Sequence, residues 1–86
     1  MRIIYSPKFV RNYTKLPLEV KKLAEKQEKI FRADPFDHRL KTHKLKGKFR
    51  DFWSFSIDYS YRIVFEFSKD KSTVYFHATG DHKVYK

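Results

Sequence analysis

The chain has 86 residues, 41% of them hydrophobic and 19% aromatic, enough for one modest core and too apolar for a disordered segment. Twenty Lys and Arg against ten Asp and Glu leave a formal charge of +10, which points to a polyanion or an acidic protein as partner. The chain has no cysteine, which excludes a disulfide framework and a thiolate zinc site, and no apolar run approaches the length of a membrane span. Met1–Tyr5 is too short for a signal peptide, so a single domain over residues 1–86, working in the cytoplasm and away from membranes, is expected.

Arg2 to Tyr5 reads as a short first strand. Ser6-Pro7 has the form of a helix start, serine as cap and proline in the first turn. Phe9, Val10 and Tyr13 form the apolar stripe of that short helix, and Pro17 interrupts it. A second helix over Leu18–Ala33 carries Val20, Leu23, Ala24, Gln27, Ile30 and Phe31 three or four apart. Glu25 with Lys29 and Glu28 with Arg32 make favourable pairs on its solvated side. Asp34-Pro35 ends it, because proline disfavours a helical residue before it.

From His38 to Arg50 the chain reads HRLKTHKLKGKFR, with six Lys or Arg, two His and no acid. Lys46-Gly47-Lys48 marks a turn within it. Strand patterns follow. Trp53, Phe55 and Ile57 alternate with Ser54 and Ser56, and after Asp58-Tyr59-Ser60 the residues Tyr61, Ile63, Phe65 and Phe67 alternate with Arg62, Val64 and Glu66. Period-two alternation signals antiparallel strands with one buried face. Ser68–Ser72 is a polar connection, Val74–Thr79 a last strand, and Gly80 its break before the tail DHKVYK.

The order β-α-α-β-β-β gives an α+β fold: two N-terminal helices packed on one face of a small antiparallel sheet. Trp53, Phe55, Ile57, Tyr61, Ile63 and Phe65 should then face the helices. Ser54, Ser56, Arg62 and Glu66 should line an open face edged by the lysine-rich segment. An arginine in mid-strand on such a face can grip a phosphate, or pair with Glu66. The basic segment suits RNA or an acidic protein equally, since both present the same electrostatics. His38 and His43 lack the carboxylate or cysteine partners of a metal site, and no metal or small-molecule cofactor is expected.

The run KLKG at Lys44–Gly47, the Trp53–Ile57 segment, YRIVFEF at Tyr61–Phe67 and a glycine-initiated tail ending in Val84-Tyr85 resemble the RelE/ParE superfamily of toxin-antitoxin toxins. The resemblance spans nearly the whole chain and is greatest to the YoeB/YafQ-like branch of messenger-RNA interferases. It implies an endoribonuclease that cleaves mRNA in the ribosomal A site and is inhibited by a cognate acidic antitoxin. It further implies that Arg62 holds the scissile phosphate, that His43 is the general base and His82 the general acid, and that Tyr85 lies near the substrate base. Lys41, Lys44, Lys46, Lys48, Arg50, Ser54 and Ser56 would contact the RNA. RelE itself has lysines in the strand where this chain has Ser54 and Ser56, so any lysine-based charge stabilisation must come from elsewhere, such as Lys46 or Lys48. The same superfamily contains ParE-type gyrase poisons, and the basic surface alone also suits a non-catalytic RNA-binding module.

The chemistry those residues imply is simple. A base takes the 2′-hydroxyl proton, the oxygen attacks the adjacent phosphorus, and an acid protonates the departing 5′-oxygen. Positioned acid-base groups contribute about 10²–10⁴-fold to such steps, and a fixed cation stabilises the charge on the phosphate.

Overall fold

The computed structural model describes residues 1–81. Its elements are β1 (Arg2–Tyr5), α1 (Pro7–Thr14), α2 (Leu18–Ala33), β2 (His43–Lys44), β3 (Trp53–Ser56), β4 (Tyr61–Phe67) and β5 (Thr73–Asp81), with single 3-10 turns at His38–Leu40 and Gly47–Phe49. The strands form one sheet in the order β1-β5-β4-β3-β2. Two helices on one face of a sheet is the expected α+β arrangement, but the sheet is mixed. Strand β1 runs parallel to β5 while every other pairing is antiparallel. Alternation tells which face a strand buries and carries no information on direction, so a four-residue edge strand can pair either way.

The start of α1 follows from its sequence. Ser6 Oγ accepts a hydrogen bond from Phe9 N at 2.9 Å, and Pro7 occupies the first turn, where its missing N–H costs nothing. Strand β1 stops at Tyr5, opposite Phe76, and α1 takes over the exposed edge of β5. The Ser6 hydroxyl donates to His77 O at 2.8 Å, and Asn12 Oδ1 accepts from Thr79 N at 3.2 Å. Side chains thus satisfy strand-edge groups that a longer β1 would have paired. Lying along that edge, α1 buries only Phe9 fully, and Val10, expected in its stripe, is exposed. Helix α2 buries Val20, Ala24 and Phe31, while Leu23 is left partly in solvent.

Between helices and sheet lies the main core. Phe31 sits at its centre, with ring centroids 4.8 Å from Phe55, 4.9 Å from Phe65 and 5.6 Å from Phe76. Phe55, Ile57, Ile63 and Phe65 all face this side, as the alternation requires, with Trp53 and Tyr61 packed at its margin.

The opposite face differs from expectation. The segment after β2 folds back across it, closed by Leu45 N to Phe52 O at 3.0 Å and turned at Gly47, whose φ of +67° suits glycine. Leu45, Val64 and Ala78 form a second buried cluster there, with Phe49 and Phe52 packed against it. The face expected to be open is therefore roofed in its middle. Gly80 also departs from its expected part. It does not end β5, which continues to Asp81 with Gly80 directly opposite Arg62.

Candidate nucleic-acid interface

Arg62 lies on the roofed face of β4, at the end where the roof stops. Its cross-strand neighbours are Ser56 on β3 and Gly80 on β5. Both are small, and glycine in a strand interior often marks a place where another group approaches the backbone closely. Arg62 and Ser56 line a cleft of about 410 Å³ together with Lys41, Arg39 and the Asp58-Tyr59 turn. The structure thus gathers three of the residues read from the sequence, Lys41, Ser56 and Arg62, in one place.

Local bonds fix the walls. Asp37 caps the His38–Leu40 turn by accepting from Arg39 N at 2.9 Å, and clamps the Arg39 guanidinium with both oxygens, at 3.0 and 2.9 Å. Those hydrogen bonds hold the Asp37 carboxyl well below the usual carboxylate range and raise Arg39. The turn ends on Lys41, which adopts a left-handed backbone with φ 53°. Such a conformation is uncommon for a residue with a Cβ and clusters at functional sites. Gln27, from α2, donates to Ser56 O at 2.9 Å and ties the helix to the cleft floor.

His43 opens β2 opposite Ser54, in the same cross-strand row as Val64. It shares the face with Arg62 but stands two strands and one row away, a separation of about 12 Å between Cα atoms from ordinary strand spacings. It does not line the cleft. Its Nδ1 lies 3.1 Å from Lys41 O. A carbonyl only accepts, so Nδ1 carries the hydrogen and Nε2 of the neutral ring keeps its lone pair. That is the arrangement a general base needs.

The remaining candidates scatter. Ser54 is 1% exposed, sealed under the roof, and its hydroxyl has no hydrogen-bond partner among the described residues. It cannot present itself to RNA as the alternation led one to expect, because the expectation took the face to be bare. Lys44 is paired in register with Trp53 and its ammonium lies 6.0 Å from that ring, on the helix side of the sheet. Lys46, Lys48 and Arg50 are exposed on the roof, Lys48 with its ammonium over the Phe49 ring at 5.4 Å. Glu66 pairs with His77, at 2.8 Å, and not with Arg62. His82 and Tyr85 lie outside the described residues. Among the described residues no cluster of His, Asp or Glu could hold a metal ion, and no helix is long and apolar enough to cross a membrane.

Sequence reasoning passed over Arg39, Gln27 and Tyr59 as cleft residues. Arg39 sat in plain view in the basic run, but only the Asp37 clamp aims it. Gln27 reads as part of a helical stripe, and nothing in the sequence says that it reaches the end of β3.

Known structures share this architecture. A YoeB/ParE toxin from Agrobacterium tumefaciens superposes with a TM-score of 0.79 at 18% identity, over 95% of this chain and 99% of that one. YafQ from Escherichia coli gives 0.78 at 15% identity over 96% of each. The archaeal RelE of Pyrococcus horikoshii, crystallised in complex with RelB, gives 0.74 at 14% identity over 93% of this chain and 92% of that one. No family sequence profile matches the chain, and no curated protein matches it in sequence. The chain therefore has the fold of the RelE/ParE toxins of toxin-antitoxin systems, and among them that of the YoeB- and YafQ-like members.

Proposed function

We propose that this protein is the toxin of a type II toxin-antitoxin system, an endoribonuclease that cleaves mRNA, with the ribosomal A site as its place of action. The observation that carries the reading is Arg62: an arginine at the start of β4 and not, as expected, in mid-strand, flanked by Ser56 and Gly80 and lining a cleft that Lys41 and Arg39 also line. Arg62 holds the scissile phosphate and neutralises the charge that develops on it. His43 takes the 2′-hydroxyl proton through Nε2, the nitrogen left free by the contact of Nδ1 with Lys41 O. His82 returns a proton to the departing 5′-oxygen, and Tyr85 lies against the base. None of these steps draws on a metal ion. The products are a 2′,3′-cyclic phosphate and a 5′-hydroxyl end.

An acidic antitoxin is the natural counterpart. Solved relatives include RelE with RelB and YafQ with DinJ, and a free surface of this charge would attract RNA throughout the cell. The antitoxin should cover the His43–Arg62 face or draw the tail from it.

Primer extension on cellular mRNA after induction, with a DNA supercoiling assay in parallel, tests the reading. New 5′ ends within coding regions should appear with the wild type. They should weaken by about 10²–10⁴-fold in single-turnover rate for His43→Ala or His82→Ala. Intact mRNA together with lost supercoiling activity would replace the nuclease with a gyrase-type toxin.

A further inference from the structure

The Asp58-Tyr59-Ser60 turn between β3 and β4 projects an aromatic side chain that the core has no use for. Tyr59 is 97% exposed, the most exposed large hydrophobic residue among those described. The turn beneath it is rigid. Asp58 Oδ1 accepts from both Ser60 N and Tyr61 N at 2.8 Å, and Ile57 N donates to Tyr61 O at 2.8 Å. An Asx turn needs no aromatic residue at its tip, and an unburied tyrosine contributes nothing to folding. Yet Tyr59 lines the same cleft as Arg62, Lys41 and Arg39.

A cleft of about 410 Å³ lies within the range of small-ligand sites. Its lining sets the cations Arg39, Lys41 and Arg62, the Ser56 hydroxyl and the Gln27 amide, suited to phosphate and ribose, against one carboxylate, Asp58, whose Oδ1 already accepts from Ser60 N and Tyr61 N. Its one aromatic residue, Tyr59, is suited to a nucleobase. Base stacking on exposed aromatics is the usual means of holding single-stranded RNA, since every base has a π-face. We propose that the cleft is a nucleotide subsite in which Tyr59 stacks on the base next to the phosphate held by Arg62. Lys41, in the same cleft, meets an adjoining phosphate, with Arg39 adding what charge its pairing to Asp37 leaves. The inference rests on the nuclease reading and adds to it which nucleotide the hairpin grips, and with what. Tyr59 is a positioning residue. It binds substrate and transition state alike, so its loss raises KM and leaves kcat nearly as it was.

The test uses the full chain and a single-stranded oligoribonucleotide made uncleavable by a 2′-deoxy sugar at the scissile position, with 2-aminopurine beside it. Wild-type protein should bind and quench the 2-aminopurine fluorescence. Tyr59→Ala should weaken binding about 5- to 100-fold and abolish the quench, whereas Tyr59→Phe should keep both, because the ring and not the hydroxyl does the stacking. At 97% exposure neither substitution disturbs the fold, which an unchanged melting temperature will verify. If the wild type binds in an Arg62-dependent manner and Tyr59→Ala binds and quenches equally well, the subsite assignment is wrong and the nuclease reading stands. If the wild type does not bind the oligonucleotide, or binding is indifferent to Arg62→Ala, both fall together.

Discussion

Arg62 and Ser54 are eight residues apart in sequence and share one sheet face, yet their surroundings assign them opposite tasks. Arg62 stands where the roof ends, between Ser56 and Gly80, and lines a cleft. If it grips a phosphate with two parallel hydrogen bonds, Arg62→Ala should lower the single-turnover cleavage rate by about 10²–10³-fold. Arg62→Lys should recover only part of that, since an ammonium keeps the charge and loses the fork. Equal rates for lysine and arginine would reduce the role of Arg62 to charge alone. Ser54 is buried, paired in register with Val64 of the second cluster, with a hydroxyl that finds no partner among the described residues. Burying such a group opposes folding, so Ser54→Ala should raise the unfolding free energy by about 1 kcal/mol in urea titration. A loss of stability would mean that the hydroxyl is bonded after all, through water. The sequence could not separate these two residues, because alternation assigns a face and says nothing about what lies over it. Only the return of Leu45, Phe49 and Phe52 across the sheet decides that Ser54 is sealed and Arg62 is not.

At the scale of elements, legibility follows how local the cause is. The start of α1 and both ends of α2 were readable because Ser6-Pro7, Pro17 and Asp34-Pro35 are signals carried by adjacent residues, whereas α1 ends at Thr14, ahead of the proline expected to interrupt it. The parallel seat of β1 beside β5 was not, since its register joins Ile3 to Val74 across most of the chain. Strand β2, two residues long, has no periodicity to detect. Gly80 misled for a different reason. Glycine breaks strands often enough to be taken as punctuation, and here it continues β5 directly opposite Arg62. The β4–β5 turn is the most local device of all, and it titrates. Asp70 Oδ1 accepts from Ser72 N at 3.0 Å and from the Ser68 and Ser72 hydroxyls at 2.8 Å each. Those bonds, led by the Ser72 backbone N–H, lower its carboxyl to about 2. A depressed folded value means that the turn's carboxylate stabilises the protein above the ordinary carboxylate range and ceases to as the pH falls through about 2. Unfolding curves of wild type and Asp70→Ala should therefore differ at pH 6 and converge toward pH 2 as this increment disappears. A gap that persists unchanged at the acid end would mean that the neutral side chain holds the turn equally well.

For the whole molecule the decisive quantity is where the +10 resides. The roof carries Lys46, Lys48 and Arg50 at its surface, and the cleft at its end carries Lys41, Arg39 and Arg62. Roof and cleft together form a strip along one face in which these six cations outnumber Asp51 on the roof, Asp58 in the cleft and the Asp37 paired with Arg39, while α2 sets Glu19, Glu25 and Glu28 against five Lys and Arg. A strip of this kind has two separable functions: the roof attracts any polyanion, and the cleft selects a geometry. Counterion release distinguishes them. Each phosphate neutralised on a single strand steepens the fall of log affinity with log salt by about 0.7. Replacing Lys46, Lys48 and Arg50 together by Gln should then flatten the salt slope for a single-stranded oligoribonucleotide by up to about 2, if each meets one phosphate. Affinity should fall while the position of the cleavage sites stays the same, because the groups that orient the phosphodiester are untouched. Arg62→Ala should do the reverse, changing the slope by only the one contact, about 0.7, while removing cleavage. An acidic antitoxin docked on the same strip would show a salt dependence that the triple substitution also flattens, so the same variant reports on both partners. Should the triple variant keep the full salt slope, the roof lysines do not touch RNA, and the charge that steers it must be sought on α1, where Lys8 and Arg11 border a second depression beside His77.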